Sequence, residues 1–172
     1  MNYAGIEPLN ITNGPGLRVC LFVSGCNRHC KNCFNPETWD FNYGEHFDED
    51  ATNKILKYLS EKPITGLTIL GGEPMEKQNQ KDVANLITTV RKQLPEKTIW
   101  VFTGYTYEEL TDPKKALTEH TRQILDNIDV LVDGPFIQEK KDLSLKFRGS
   151  SNQRLIDMNE TRKEGHINIY ET

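Results

Sequence analysis

Apolar residues in this chain fall into short continuous runs, separated by longer stretches in which they recur every three or four positions. The runs are residues 18–24 (RVCLFVS), 66–70 (GLTIL), 98–102 (TIWVF) and 129–132 (DVLV). They are rich in β-branched and aromatic residues and too short for helices, so each predicts a strand. Between them, Ile55, Leu56 and Leu59 predict a helix over 50–59, with Asp48 or Asp50 as its N-cap. Val83, Leu86, Ile87 and Val90 form a second stripe, predicting a helix over 81–94 that stops before Pro95. Leu117, Ile124, Leu125 and Ile128 form a third, over 116–128. The strands do not alternate polar with apolar, as expected of a parallel sheet covered on both faces. Strand and helix in turn predict an α/β fold of parallel βα repeats with right-handed crossovers.

Residues outside this rhythm divide into turns, one long loop and a tail. Asn13-Gly14-Pro15-Gly16 is a turn signal. Residues 25–39 have neither period, and a loop of that length inside a compact domain is usually functional. The tail, 159–172, is polar until His166-Ile167-Asn168-Ile169-Tyr170, which reads as a last edge strand or a frayed end. With no internal repeat and no linker, residues 1–172 are expected to form one domain, its core at about 15–155.

Each predicted strand closes on small or polar residues. The first leads into the long loop, the second into Gly71-Gly72-Glu73-Pro74, the third into Thr103-Gly104-Tyr105, the fourth into Asp133-Gly134-Pro135-Phe136. Any one could be an ordinary βα turn. In parallel α/β proteins, however, ligands bind at the carboxyl edge of the sheet, and these four segments share that edge.

Composition narrows the chemistry. The 172 residues are 36% hydrophobic and 27% charged, which is globular, and the net charge of −4 gives no basic stripe for nucleic acid. No apolar run approaches the roughly 20 residues of a membrane helix. The first ten residues show no basic segment followed by an apolar one, so no signal peptide is expected and a cytoplasmic setting is. All four cysteines, Cys20, Cys26, Cys30 and Cys33, lie in one short window, where disulfides would staple nothing distant. Such a cluster in a reducing compartment reads as a metal site.

Three cysteines have the spacing Cys-x-x-x-Cys-x-x-Cys, Cys26 to Cys33, in the long loop. Thiolates are the usual ligands of iron–sulfur clusters, and three thiolates on four irons leave one iron open to a ligand. Cys20 is a possible fourth, but its neighbours Leu21 and Phe22 favour a buried, apolar role. A zinc site completed by His29 or His46 is the alternative, although structural zinc usually pairs two knuckles. No Ser–His–Asp set, paired carboxylates, GxGxxG or phosphate loop is present. His29 reads as an exposed loop residue, Arg18 as a surface charge, and Trp39 and Trp100 as packing residues.

The stretch NGPGLRVCLFVSGCNRHCKNCFNPETW, with GGEP after the next strand, resembles the glycyl-radical-enzyme activases of the radical S-adenosylmethionine superfamily. TGY, DVLVDGPF and RGSSNQR (148–154) are similar to the activases that serve anaerobic ribonucleotide reductases. The resemblance implies an incomplete TIM-like barrel and one 4Fe–4S cluster held by Cys26, Cys30 and Cys33. It also implies S-adenosylmethionine as cofactor, contacted by Cys33, Gly71, Gly72, Glu73, Thr103 and Asp133. Many superfamily members carry an aromatic just before the last cysteine; here Asn32 stands there, and Phe34 is expected to meet the adenine instead. The implied partners are the large subunit of an anaerobic ribonucleoside-triphosphate reductase, which bears the glycine, and a low-potential electron donor such as flavodoxin. Pyruvate formate-lyase is the alternative partner. The 148–154 run would be a loop that docks the partner or closes the site.

Overall fold

The computed structural model describes residues 1–172. The four apolar runs are all strands: β2 (Leu17–Val23), β4 (Ile64–Gly71), β5 (Thr98–Phe102) and β6 (Val130–Asp133). The stripes are helices α1 (Glu49–Leu59), α2 (Gln80–Gln93) and α4 (Thr121–Asn127). Asp48 is the α1 N-cap, its side chain accepting from the Ala51 N–H. α4 starts five residues later than its stripe begins. The Ala116 carbonyl accepts from the Gln80 side chain and the Thr118 N–H donates to Thr121 Oγ1, so tertiary polar contacts hold 116–120 out of the helix. A further short helix, α3 (Tyr107–Leu110), is set by a capping box between Thr106 and Glu109.

The expectation of an all-parallel sheet needs correction. Seven strands stand in the order β3-β1-β2-β4-β5-β6-β7. Only β2, β4, β5 and β6 are parallel. β1 (Asn2–Asn10) and β3 (Glu45–His46) add antiparallel at one edge, and β7 (Arg154–Asp157) at the other. β1 lacks an apolar period because β3 covers only Asn2 and Tyr3. Beyond them β1 is an edge, where Pro8 is tolerated without an N–H. β7 runs into α5 (Met158–Glu164), capped by Asp157. The tail settles against β7: Ile169 bridges Ile156, and the Tyr170 N–H donates to the Leu155 carbonyl.

Helices do not cover both faces. One face of the sheet meets α1, α2 and α4 in a cluster of 26 buried apolar residues, including Leu21, Ile69, Val101 and Leu131. The other face has a cluster of four, Trp100, Val130, Val132 and Leu155, against which Phe147 and Tyr170 of the later loop and tail pack. The main core is therefore one-sided, and the opposite face is left to loops and to the site. On that face Arg18 is wholly buried, not a surface charge. It donates to Thr68 and Thr98 side chains and to the Pro15, Leu67 and Thr98 carbonyls, with its guanidinium over Trp100. Burial without a carboxylate partner pulls its pKa down to about 10.

Candidate active site

The cysteine loop leaves β2 at Val23 and is pinned before it turns. Gly25 N–H donates to the Thr38 carbonyl, and Cys26 N–H to the Trp39 carbonyl, which closes the two ends of the loop on each other. Asn79 donates to the carbonyls of Ser24 and Glu73, and Glu76 accepts from both the backbone and side chain of Asn27. Within the motif, Cys33 N–H donates to the Cys30 carbonyl at 3.1 Å, and Asn32 has φ +60°. Asn32 is thus the left-handed residue of a tight turn, a position asparagine tolerates and an aromatic does not favour.

Gly71 and Gly72 carry the loop at the end of β4. A Cβ on Gly71, which has φ +119°, would stand 2.5 Å from Val23 N, and one on Gly72 would stand 2.8 Å from the Gly25 and Thr38 carbonyl oxygens. These glycines, expected from the sequence to make room for a cofactor, are required here by a second constraint, the backbone of a neighbouring segment. Their close approach is to the backbone of the cysteine loop, reinforced by Gly72 N–H to Val23 and Glu73 N–H to Gly25.

Glu73 follows, 2% exposed. Its Oε1 accepts from Thr103 Oγ1 at 2.7 Å and Met75 N at 2.9 Å, and its Oε2 from Gly104 N at 2.6 Å. Burial outweighs these bonds and pushes the carboxyl up to about 7. Thr103 thereby acts on Glu73 directly. Asp133, also buried, is committed elsewhere: both of its oxygens accept from Arg154, and Oδ2 also from the Tyr107 N–H.

These elements enclose a cavity of about 480 Å³ at the carboxyl edge of the sheet. Cys26, Cys30 and Cys33 all line it, as do Gly71, Gly72, Glu73, Thr103 and Phe34. Asn32 and Asp133 do not; Gly134 takes the place of Asp133 on the wall. Sequence reasoning did not single out Arg28, whose guanidinium lies over the Tyr105 ring, nor the loop-pinning pair Glu76 and Asn79. Nothing in the hydrophobic period separates them from solvated polar residues. The RGSSNQR run closes one wall. Gln153 accepts from the Gly149 and Ser150 N–H groups and donates to the Gly134 carbonyl, which fastens the run to the end of β6.

Three reduced thiols on one wall fit an iron–sulfur cluster. All four cysteines are free, and burial holds Cys26 up at about 11, so iron would displace its proton on binding. Cys20 is fully buried mid-strand and does not line the cavity. A zinc site fits less well: His29 stacks on Trp39, His46 lies out on β3, and neither lines the cavity. No three His, Cys, Asp or Glu side chains are grouped closely enough for a single ion. A cluster binds each thiolate through a different iron and needs no such convergence.

Comparison with known proteins places the chain. Residues 12–156 match the family described as a 4Fe-4S single cluster domain. The anaerobic ribonucleoside-triphosphate reductase-activating protein of Vibrio cholerae is 44% identical over 155 residues, 89% of this chain and 96% of the relative. The protein of that name from Escherichia coli K12 is 43% identical over the same shares, and that of Enterobacteria phage T4 is 40% identical over 90% of this chain and 93% of its own. At 40–44% identity over about nine tenths of its length, this chain belongs to the family of anaerobic ribonucleoside-triphosphate reductase-activating proteins, and its residues 12–156 to the 4Fe-4S single cluster domain family.

Proposed function

We propose that this chain is a radical S-adenosylmethionine enzyme that installs a glycyl radical on the large subunit of an anaerobic ribonucleoside-triphosphate reductase. The observation that carries the reading is the shared cavity: Cys26, Cys30 and Cys33 meet the ends of β4, β5 and β6 there, in a chain of this family. When bound, the cluster supplies the electron that splits S-adenosylmethionine into methionine and a 5′-deoxyadenosyl radical, which takes a hydrogen atom from the partner's glycine. The hard chemistry belongs to the cofactors; the chain positions them.

Its own residues have distinct tasks. Cys26, Cys30 and Cys33 would hold the cluster, and with no fourth thiol on the cavity it could take the methionine end of the cofactor as a ligand. Glu73 accepts from the methionine ammonium. A carboxylate has about four acceptor sites, and three are taken by Thr103, Met75 and Gly104, so one remains. Thr103 orients Glu73. Phe34 lines the cavity tilted against Phe136, and that position supports a role in stacking on the adenine. Gly134 replaces Asp133 as the contact from β6, and Asn32 serves the loop turn. A low-potential donor such as flavodoxin reduces the cluster, in the cytoplasm, where thiols stay reduced.

The architecture supports the same reading. β2, β4, β5 and β6 lie side by side in chain order with no reversal, as in a barrel segment and unlike a doubly wound sheet. We read it as a single-domain, partial TIM-like barrel of the radical S-adenosylmethionine type.

The test is direct. Reconstituted without oxygen, the protein should take up iron and sulfide and, once reduced, release methionine from S-adenosylmethionine. Cys26→Ala, Cys30→Ala or Cys33→Ala should each abolish that release, while Cys20→Ala should retain most of it. Zinc in place of iron and sulfide, or full activity in a motif variant, would overturn the assignment.

A further inference from the structure

Arg28, between the first and second cysteines, lines the cavity with the three thiols, and nothing in the chain takes its charge closely. Its only ion pair, with Glu109, is a loose 3.9 Å, and that Glu109 oxygen already accepts from the Thr106 N–H at 2.9 Å. The side chain is 23% exposed, so the guanidinium is open to a ligand. Its position is nonetheless fixed. The guanidinium lies 4.9 Å over the centre of the Tyr105 ring, and the stem lies on Gly104. A Cβ on Gly104 would stand 2.4 Å from Arg28 Cδ and 2.7 Å from Arg28 Nε. The same point is 3.2 Å from Glu73 Oε2. The absence of a side chain at 104 thus lets a guanidinium and a buried carboxylate flank one spot on the cavity wall, although the two do not pair with each other.

We propose that Arg28 binds the α-carboxylate of S-adenosylmethionine while Glu73 takes its α-ammonium, so that the two side chains together read a zwitterion. The inference rests on the cofactor reading above. Both charges of an α-amino acid stand on one carbon, so their partners must flank a single point, as Arg28 and Glu73 flank Gly104. A guanidinium suits the task, because its planar fork matches a carboxylate with two parallel N–H bonds. A carboxylate has about four acceptor sites, so Arg28 and an iron can share it. Neither of the other two cations that line the cavity is among the atoms closest to Gly104. Arg148 already donates from Nη1 to the Gln153 carbonyl, and Lys141 is exposed.

The test is a thermodynamic cycle read by binding alone. The wild-type chain, Arg28→Gln and Arg28→Met are reconstituted without oxygen and assayed for iron and sulfide. Equilibrium dialysis then measures the affinity of each for S-adenosylmethionine and for decarboxylated S-adenosylmethionine. Decarboxylation also removes a ligand for iron and weakens binding in every chain, so the quantity that reports on Arg28 is the ratio of the two affinities. We expect that ratio to be about tenfold smaller in the variants than in the wild type, the low end for a charged hydrogen bond, because Arg28 is partly exposed. Arg28→Met keeps an apolar stem on Gly104 and the Tyr105 ring, and carries the test if Arg28→Gln fails to fold. An unchanged ratio in a variant with full cluster content overturns this inference alone. Loss of iron and sulfide in both variants also overturns it, since Arg28 would then support the cysteine loop. A wild-type chain that holds its cluster and binds no S-adenosylmethionine overturns the cofactor reading, and the inference with it.

Discussion

Glu73 has a pH dependence whose sign can be worked out from its surroundings. Its folded-state value, about 7, lies above the ordinary 4.5, so as pH rises the unfolded chain gives up this proton first. Between those values the native state holds more protons, and Glu73 withdraws stability as pH climbs from about 4.5 to about 7. A cofactor ammonium reverses the preference, since it favours the carboxylate. Binding of S-adenosylmethionine should therefore tighten with rising pH, by up to about tenfold per unit below about 7. Glu73→Gln should flatten that slope. It should also weaken binding by roughly ten- to a hundredfold, the worth of a charged hydrogen bond at about 1.5–3 kcal/mol. Cluster content should not change. Equilibrium dialysis of reconstituted protein across this range reads both effects, and a slope that survives in Glu73→Gln would remove Glu73 from cofactor binding.

At the scale of elements, the four central strands were legible because their apolar residues run nearly unbroken: one face meets the helices, and on the other Trp100, Val130, Val132 and Leu155 pack under the later loop and tail. The edges were not. β1 is half exposed and carries Gly5 and Pro8; β7 is four residues, of which only Leu155 and Ile156 are buried. Of the candidate site, the sequence showed which residues gather at one cavity better than what holds them there. The three cysteines, Gly71, Gly72, Glu73, Thr103 and Phe34 come together on one wall, whereas Asp133, foreseen as a cofactor contact, fastens two strands. Its carboxylate takes a bidentate grip from Arg154 of β7, which also reaches Glu108 of α3. No local pattern joins residues 133 and 154; only the antiparallel pairing of β6 with β7 does. Arg154→Ala should leave Asp133 charged, buried and short of partners. That should cost about 3 kcal/mol, the low end of the range for breaking a buried pair, because Arg154 is about a third exposed. Urea denaturation should show a lower midpoint with little change in slope, and iron uptake of the folded variant should be unaffected. An unchanged midpoint would mean that Tyr107 N–H alone satisfies Asp133.

At the scale of the whole molecule, the cavity is half built. One side is closed by strand ends and the cysteine loop, but Phe34 and Leu143, both on its lining, are 81% and 90% exposed. A small substrate would need apolar residues such as these to close over it, and here they stand open to solvent. A protein substrate brings its own walls, and the exposed apolar rim suits a docked segment. We therefore expect that the reduced enzyme, given S-adenosylmethionine and an anaerobic ribonucleoside-triphosphate reductase, leaves a stable radical on a glycine Cα of that partner. Electron paramagnetic resonance should show a doublet, because the unpaired electron couples to the one α-hydrogen that remains. The doublet should collapse when the partner's glycines carry deuterium at Cα, and air should destroy both the radical and the cluster. Replacing Leu143 with Asp should slow radical formation on the partner more than it slows partner-independent release of methionine, since Leu143 is a cavity-lining residue that is 90% exposed. A radical that forms on pyruvate formate-lyase and never on the reductase would preserve the chemistry and overturn the choice of partner.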